Sequence, residues 1–158
     1  MATTFGKPGP ALTEADLSPE GNRLGRTLPP AYRRWLLTTN GGTPKPRSFR
    51  TTDGESSGKL SVESFGWFPP AGGPVRDSVL DRHDHFAAEL SMPRHLLPIA
   101  STVGQGGVLL MDLRGDEGGP VSHWTVQSPR FEYDERDGFV NVVALSVADL
   151  LAAFGFVP

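Results

Sequence analysis

The stretch from Leu96 to Gln127 constrains the fold more than any other part of this chain. It contains a continuous apolar run, Val108 to Met111, followed by a glycine-bearing loop and then by the alternating segment Pro120 to Val126. A continuous run predicts a strand covered on both faces, and alternation predicts a strand nearer a sheet edge. The loop between the two segments is typical of a hairpin. We therefore expect this β-hairpin to lie at the centre of a sheet.

Composition bounds the class of protein. The 158 residues suffice for one domain with its own core, and 19 glycines with 15 prolines predict many turns and short elements. Because the chain has no cysteine, disulfides, thiolate metal sites and cysteine nucleophiles are excluded. Residues 1–8 lack the apolar core of a signal peptide, and no window is long enough to span a membrane. We therefore expect a cytoplasmic protein that does not bind membranes.

Helical spacing is visible on both sides of the hairpin. Tyr32, Trp35 and Leu36 predict one helix, which the Asn40-Gly41-Gly42 stop should end. A second helix is expected over residues 77–90, with Pro93 as its stop, and a third after a cap at Ser146.

Shorter elements complete the sequence-based prediction. A short helix is expected to begin at Ser18 and to end near Leu24-Gly25. Strand candidates lie at residues 47–51, 60–68 and 139–145. Residues 1–11 should form a flexible lead-in to a domain over residues 12–158. The order of helices and strands predicts an α+β domain.

Two blocks of this sequence resemble the SUKH superfamily, whose domain is of the SMI/KNR type. The motif residues of the first block are Leu28, Pro29, Asn40, Gly41 and Gly42, beside Glu20, Leu24, Gly25, Tyr32 and Leu36. Those of the second are Pro98, Ala100 and Trp124, beside Leu97, Ile99, Asp112 and Gly119. The resemblance covers roughly residues 12–156. Thr125 departs from it, because an acid usually follows the family's hairpin tryptophan, and so does the insert over residues 69–81.

The resemblance implies an α+β fold with a mixed or antiparallel central sheet that is flanked by helices, and it implies a function as well. Members include bacterial immunity proteins that bind and neutralise toxins, and fungal regulators of cell-wall glucan synthesis. The family has no shared catalytic residues, and its members act by binding. The resemblance therefore implies a protein partner, no enzymatic activity and no cofactor.

One metal-site hypothesis comes from Asp81 and His85, which are four residues apart on the predicted helix and share a face. His83 should instead lie on the apolar stripe. A complete site would need further ligands from a distance, with His95 and His123 as candidates, and no spacing requires them. We expect no metal.

A hydrolase would need a nucleophile, a base and an orienting acid. Ser122 and His123 are neighbours on a strand, so they should face opposite sides. Ser146 and Asp149 are better explained as a helix cap. The pattern Gly104-x-Gly106-Gly107 precedes a strand, whereas phosphate-binding glycines precede a helix. These residues therefore do not predict an enzyme.

Charge is distributed unevenly along the chain. Residues 1–70 carry nine basic and six acidic side chains, and residues 71–158 carry six and twelve. The acidic second half argues against nucleic-acid binding and favours a basic protein partner. The candidate partner-binding carboxylates are Asp112, Asp116, Glu117, Glu132, Asp134, Glu135 and Asp137.

We expect an immunity protein that binds a toxin domain, for example a basic nuclease. The alternative is a scaffold or regulatory module in cell-envelope or stress signalling. If the strands on either side of residues 129–138 pair, the last four carboxylates lie at the opposite end of the sheet from the first three. A solubilising surface also explains acidic loops.

Overall fold

The computed structural model describes residues 2–51, 58–104, 106–125 and 142–157. The elements in that part of the chain are β1 Thr4–Gly6, α1 Pro30–Thr38, β2 Thr43–Lys45, β3 Ser48–Arg50, β4 Lys59–Phe65, α2 Val79–Leu90, β5 Leu96–Thr102, β6 Gly107–Asp112, β7 Val121–Thr125, β8 Val142–Ala144 and α3 Val147–Ala153. Strands β3 to β8 form an antiparallel sheet in sequential order, and β1 pairs with β2. The predicted α+β fold is confirmed.

Strands β5 and β6 occupy the middle of the six-stranded sheet. All six residues of β6 are buried, as the continuous apolar run predicts. Strand β7 is half-buried from His123 onwards and lies next to β8, the last strand of the sheet. The hairpin predicted between β6 and β7 is confirmed, with Leu109 opposite His123. The predicted central position is therefore confirmed for β6 but wrong for the hairpin as a whole, because β7 lies only one strand from the edge.

Two clusters of buried residues lie on the two faces of this sheet. The large core contains the inward side chains of α1 and α3 together with alternate sheet residues such as Leu97 and Leu109. The small core contains Met92, Leu96, Val108 and Leu110, against which Phe86 and Trp124 pack. Because Leu109 and Leu110 are consecutive in β6, they project to opposite faces.

Side-chain caps define the bounds of two helices. The Ser78 hydroxyl accepts a hydrogen bond from the Asp81 amide at the start of α2, and the Ser146 hydroxyl accepts one from the Asp149 amide at the start of α3. The cap predicted at Ser146 is confirmed. Helix α2 ends at Leu90, and the cap residue Ser91 adopts a left-handed conformation two residues before the expected stop at Pro93. None of the described helices has the length and apolarity needed to cross a membrane.

The helix predicted from Ser18 is wrong, because residues 18–24 form consecutive turns instead. The Asn22 amide group donates to the Leu17 and Arg26 carbonyl oxygens at 3.3 and 2.7 Å, and its oxygen accepts from the Leu24 amide at 3.0 Å. These side-chain bonds replace the backbone bonds that a helix would make.

The start of the chain also differs from the expected lead-in, because Thr4–Gly6 pairs with Thr43–Lys45 as β1 and β2. Phe5 places its ring 5.9 Å from that of Trp35 and 6.0 Å from that of Phe65. The partner strand lies far away in sequence, so local composition could not reveal the pairing.

Candidate protein-binding site

The loop between β6 and β7 carries three of the candidate carboxylates, and the first of them is not free. Asp112 is buried and forms a two-pronged ion pair with Arg114, whose Nη2 lies 2.7 Å from Oδ2 and whose Nε lies 3.1 Å from Oδ1. The Arg114 amide also donates to Asp112 Oδ1 at 2.9 Å. The carboxylate therefore braces the loop.

Burial acts to raise the pKa of Asp112. The hydrogen bonds and the charge of Arg114, with a contribution from His95, lower it more, so the pKa lies below the ordinary carboxyl value. Asp112 stays ionised at neutral pH, and its charge is compensated within the loop.

Asp116 and Glu117 lie at the tip of the same loop and are exposed. The loop is held at its base, where the Gly119 amide donates to the Asp112 carbonyl oxygen at 2.8 Å. Gly118 has a positive φ of 76°, and a Cβ there would lie 2.6 Å from Pro29 Cγ. The loop therefore presents two exposed carboxylates from a position fixed against the start of α1.

The four remaining carboxylates, Glu132, Asp134, Glu135 and Asp137, lie outside the described residues. The strands on either side of them do pair, because β7 and β8 are antiparallel with Val121 opposite Ala144. Chain positions 125 and 142 therefore lie at the end of the sheet away from Asp116 and Glu117.

The motif residues of the first block hold the sheet to its surroundings. Leu28 and Pro29 are buried before α1. Asn40, at a φ of 46°, donates through its amide group to the carbonyl oxygens of Pro10 and Phe68 at 2.7 and 3.0 Å. Its own oxygen accepts from the Phe68 amide at 2.7 Å. The Asn40 side chain therefore joins three segments that are distant in sequence.

Each of the two glycines after Asn40 sits where a side chain would collide with backbone. A Cβ on Gly41 would lie 2.9 Å from Trp67 Cα, and one on Gly42 would lie 2.6 Å from the Gly6 carbonyl oxygen. Gly42 also exchanges backbone hydrogen bonds with Phe65 at 3.0 and 2.9 Å. This block is structural.

The motif residues of the second block lie in and beside the sheet centre. Pro98 and Ala100 flank an irregularity in the pairing of β5 with β6, and both are buried. The intervening Ile99 offers its carbonyl oxygen to the Gly66 amide at 2.8 Å. Trp124 packs on the small core, with its ring 5.8 Å from that of Phe86.

Comparison with known proteins identifies the family of this domain. A model of the SMI1 / KNR4 family (SUKH-1) matches residues 11–153. The chain belongs to this family. No curated protein and no solved structure matched the chain. The match confirms the resemblance, and its range runs through the three helices that the structure describes and the loop that carries Asp116 and Glu117.

The metal hypothesis finds little support in the described part of the SUKH-1 domain. His83 is buried, and its Nε2 lies 3.0 Å from the Arg94 carbonyl oxygen. Asp81 is exposed, and its carboxylate accepts from the Asp77 amide at 2.9 Å. Within the ranges that the structure covers, no three histidine or acidic side chains form a group that could hold a metal ion.

The residues of the rejected hydrolase hypothesis are separated in the SUKH-1 domain. Ser122 is fully buried, whereas His123 projects from the other face of β7. His123 Nε2 lies 3.0 Å from Thr102 Oγ1, a contact that crosses β6 at Gly107. Desolvation by burial lowers the pKa of His123. The contact joins β5 to β7 and has a structural role.

Sequence reasoning missed a cleft between residues 23–26 and α2, to which Arg94 also contributes. Its residues come from three separate segments and form no motif. The only signal in the sequence was the surplus of basic side chains in residues 1–70.

Proposed function

We propose that this SUKH-1 domain is a non-catalytic protein-binding module, most specifically an immunity protein that binds and neutralises a toxin domain. The observation that carries the proposal is the match of the family model to residues 11–153, since the family includes such proteins. The contact of His123 with Thr102 and the cap that Ser146 makes on α3 are structural, which supports action by binding. The proposal includes no cofactor.

The loop between β6 and β7 supports a basic partner. Asp116 and Glu117 are exposed, and Arg114 compensates Asp112 rather than them. Carboxylates at a fixed position steer a basic surface during encounter and raise the association rate, an effect that salt screens. A basic nuclease toxin has the complementary surface.

The test is a binding measurement between the full chain and the toxin domain encoded beside its gene. We expect a stoichiometric complex whose association rate falls as salt rises. The double variant Asp116→Asn/Glu117→Gln should associate about 10-fold more slowly at low salt, because two steering charges are lost. Glu63→Gln is the matched control, since Glu63 is an exposed carboxylate on β4, two strands away from β6.

The outcomes separate the alternatives. A tight complex that the double variant leaves unchanged would contradict the role of the loop but not the immunity function. Failure to bind any neighbouring toxin, together with recovery of cell-envelope or signalling proteins from lysate, would overturn the immunity function in favour of a regulatory module.

A further inference from the structure

A cleft of about 350 Å³ separates residues 23–26 from α2. Its apolar lining comes from Leu24, Val75 and Leu80. Its charged lining comes from Arg23, Arg26, Asp84 and Arg94, and the buried ring of His83 completes the wall. The volume lies at the lower end of the range for ligand pockets and is enough for one or two side chains.

The charges of this cleft do not cancel. Arg94 is paired with Asp84, with 3.1 Å between Nη1 and Oδ1. Arg23 donates through Nη2 to the Gly73 carbonyl oxygen at 3.4 Å, and it forms no ion pair with any described residue. Neither does Arg26 within the same ranges. Two positive charges therefore remain available in a protein whose formal net charge is −3.

The cleft is fixed by contacts behind it. The Asn22 amide group holds the Arg26 carbonyl oxygen at 2.7 Å, and Arg23 adopts a positive φ of 59°. On the other side, the His83 ring contacts the Arg94 carbonyl oxygen at 3.0 Å. The backbone on both sides of the cleft is therefore in place before a partner enters, which reduces the entropic cost of binding.

We propose that this cleft binds an acidic segment of a partner protein, with a carboxylate held by Arg23 and Arg26 and a neighbouring apolar side chain seated on Leu24, Val75 and Leu80. Guanidinium groups bind carboxylates through paired hydrogen bonds, which gives both affinity and orientation. The apolar floor favours a peptide over a nucleic-acid backbone, which carries charge without adjacent aliphatic side chains.

The cleft lies close to the carboxylate loop. The Leu113 amide donates to the His95 carbonyl oxygen at 2.8 Å, which ties the base of that loop to the residue after Arg94. Gly118 packs on Pro29, three residues beyond Arg26. One end of the molecule thus offers acidic and basic sites side by side. The cleft proposal does not depend on the partner being a toxin.

The test uses a blocked hexapeptide of alternating leucine and aspartate, and a counterpart with asparagine in place of aspartate. Each is titrated into the full-length isotope-labelled protein and followed by amide NMR. We expect the acidic peptide to shift resonances of residues 23–26, 80–84 and 94, and to bind about 10-fold more tightly than its neutral counterpart, equivalent to about 1.4 kcal/mol.

Variants then test the assignment of the two arginines. Arg23→Gln and Arg26→Gln should each weaken the acidic peptide several-fold, and the double variant should remove its advantage over the neutral peptide. Arg34→Gln, on the exposed side of α1, should have no effect. All variants should melt at the wild-type temperature, because both cleft arginines are exposed.

Three results would overturn the proposal: shifts confined to other surfaces, equal affinity for the two peptides, or displacement of the acidic peptide by a single-stranded oligonucleotide at lower concentration. None of them bears on toxin binding through Asp116 and Glu117, so this test and the preceding one fail independently.

Discussion

The two faces of the six-stranded sheet are packed in different ways. On the large core, rings follow one another in a continuous network, with centroids 5.0 Å apart for Trp35 and Phe65, 5.3 Å for Phe65 and Phe154, and 5.4 Å for Phe154 and Phe49. On the small core, four buried residues are covered by Phe86 and Trp124, which are themselves only half-buried.

Buried polar groups occur on both sides of the sheet, and in the large core Tyr32 Oη and Trp35 Nε1 have no hydrogen-bond partner among the described residues. Around the small core, Arg82 donates to the Ser101 hydroxyl at 2.8 Å, and the buried Ser122 hydroxyl has no partner among the described residues. Phe86 of α2 covers part of this core, whereas Val79 and Leu80 of the same helix pack in the large core, and α2 also forms one wall of the arginine cleft. The comparison indicates that the large core supplies most of the stability, whereas the small core is covered by side chains that are themselves only half-buried.

The sharpest way to test this comparison is to truncate Leu109 and Leu110, which are adjacent in β6, fully buried and on opposite faces. Leu109→Ala should lower the free energy of unfolding by about 4 kcal/mol and Leu110→Ala by about 3 kcal/mol. The loss is smaller at position 110 because the half-buried side chains around it can move into the cavity that the truncation leaves. Chemical denaturation measures both values. Equal losses, or a larger loss for Leu110→Ala, would contradict the comparison.

A second test adds atoms at the edge of the large core. A Cβ on Gly107 would overlap Thr102 Oγ1 and lie 2.5 Å from His123 Nε2. Gly107→Ala should therefore separate these two side chains and cost about 2 kcal/mol. Thermal or chemical unfolding gives the value.

The control for that test removes the Thr102 hydroxyl, which the added Cβ would overlap. In a Thr102→Ala background, Gly107→Ala should cost less, because one of the two obstructing atoms has been removed. A cost that is unchanged in this background would show that the contact across β6 is not the reason for glycine at position 107.

Much of the fold could be predicted because its signals are local. The apolar run of β6, the cap at Ser146 and the stop at Asn40 each lie within a few residues of the element that they define. The failures involve interactions that sequence spacing does not encode. Asn22 diverts the backbone bonds that a helix from Ser18 would need, and β1 finds its partner beyond α1.

The features of the candidate site also differ in whether local sequence could predict them. Asp116 and Glu117 could be identified from their loop, because charged turn residues between strands are exposed. The ion pair of Asp112 with Arg114 could not be predicted from the sequence, because it depends on the direction in which each side chain points. The arginine cleft could not be predicted either, because Arg23, Arg26 and Arg94 meet only after folding.

A third prediction concerns the brace under the carboxylate loop. Arg114→Gln removes the charge partner of the buried Asp112 and should cost about 1 kcal/mol at neutral pH, a modest loss because Arg114 is partly exposed. Arg34→Gln is the control for loss of an exposed arginine. No difference between the two variants would show that the ion pair does not stabilise the loop.

The smallest effect should be a pH dependence from His123. Its pKa in the folded protein is below the ordinary value of 6.5, because burial disfavours the charged ring. Well above pH 6.5 the ring is neutral in both states, so it does not make stability depend on pH. As pH falls below 6.5, the unfolded chain takes up a proton that the folded protein does not, and stability decreases until the folded pKa is reached.

The variant His123→Gln isolates this contribution, because glutamine can still reach toward Thr102 but does not titrate. Unfolding free energies measured from pH 7.5 down to pH 5 should fall less steeply for the variant than for the wild type. Parallel curves would mean that His123 is as accessible to protons in the folded state as in the unfolded state. Solvent would then reach the edge of the large core, where His123 lies, more easily than it reaches the aromatic rings behind it. The difference in packing between the two faces of the sheet would be limited to their centres.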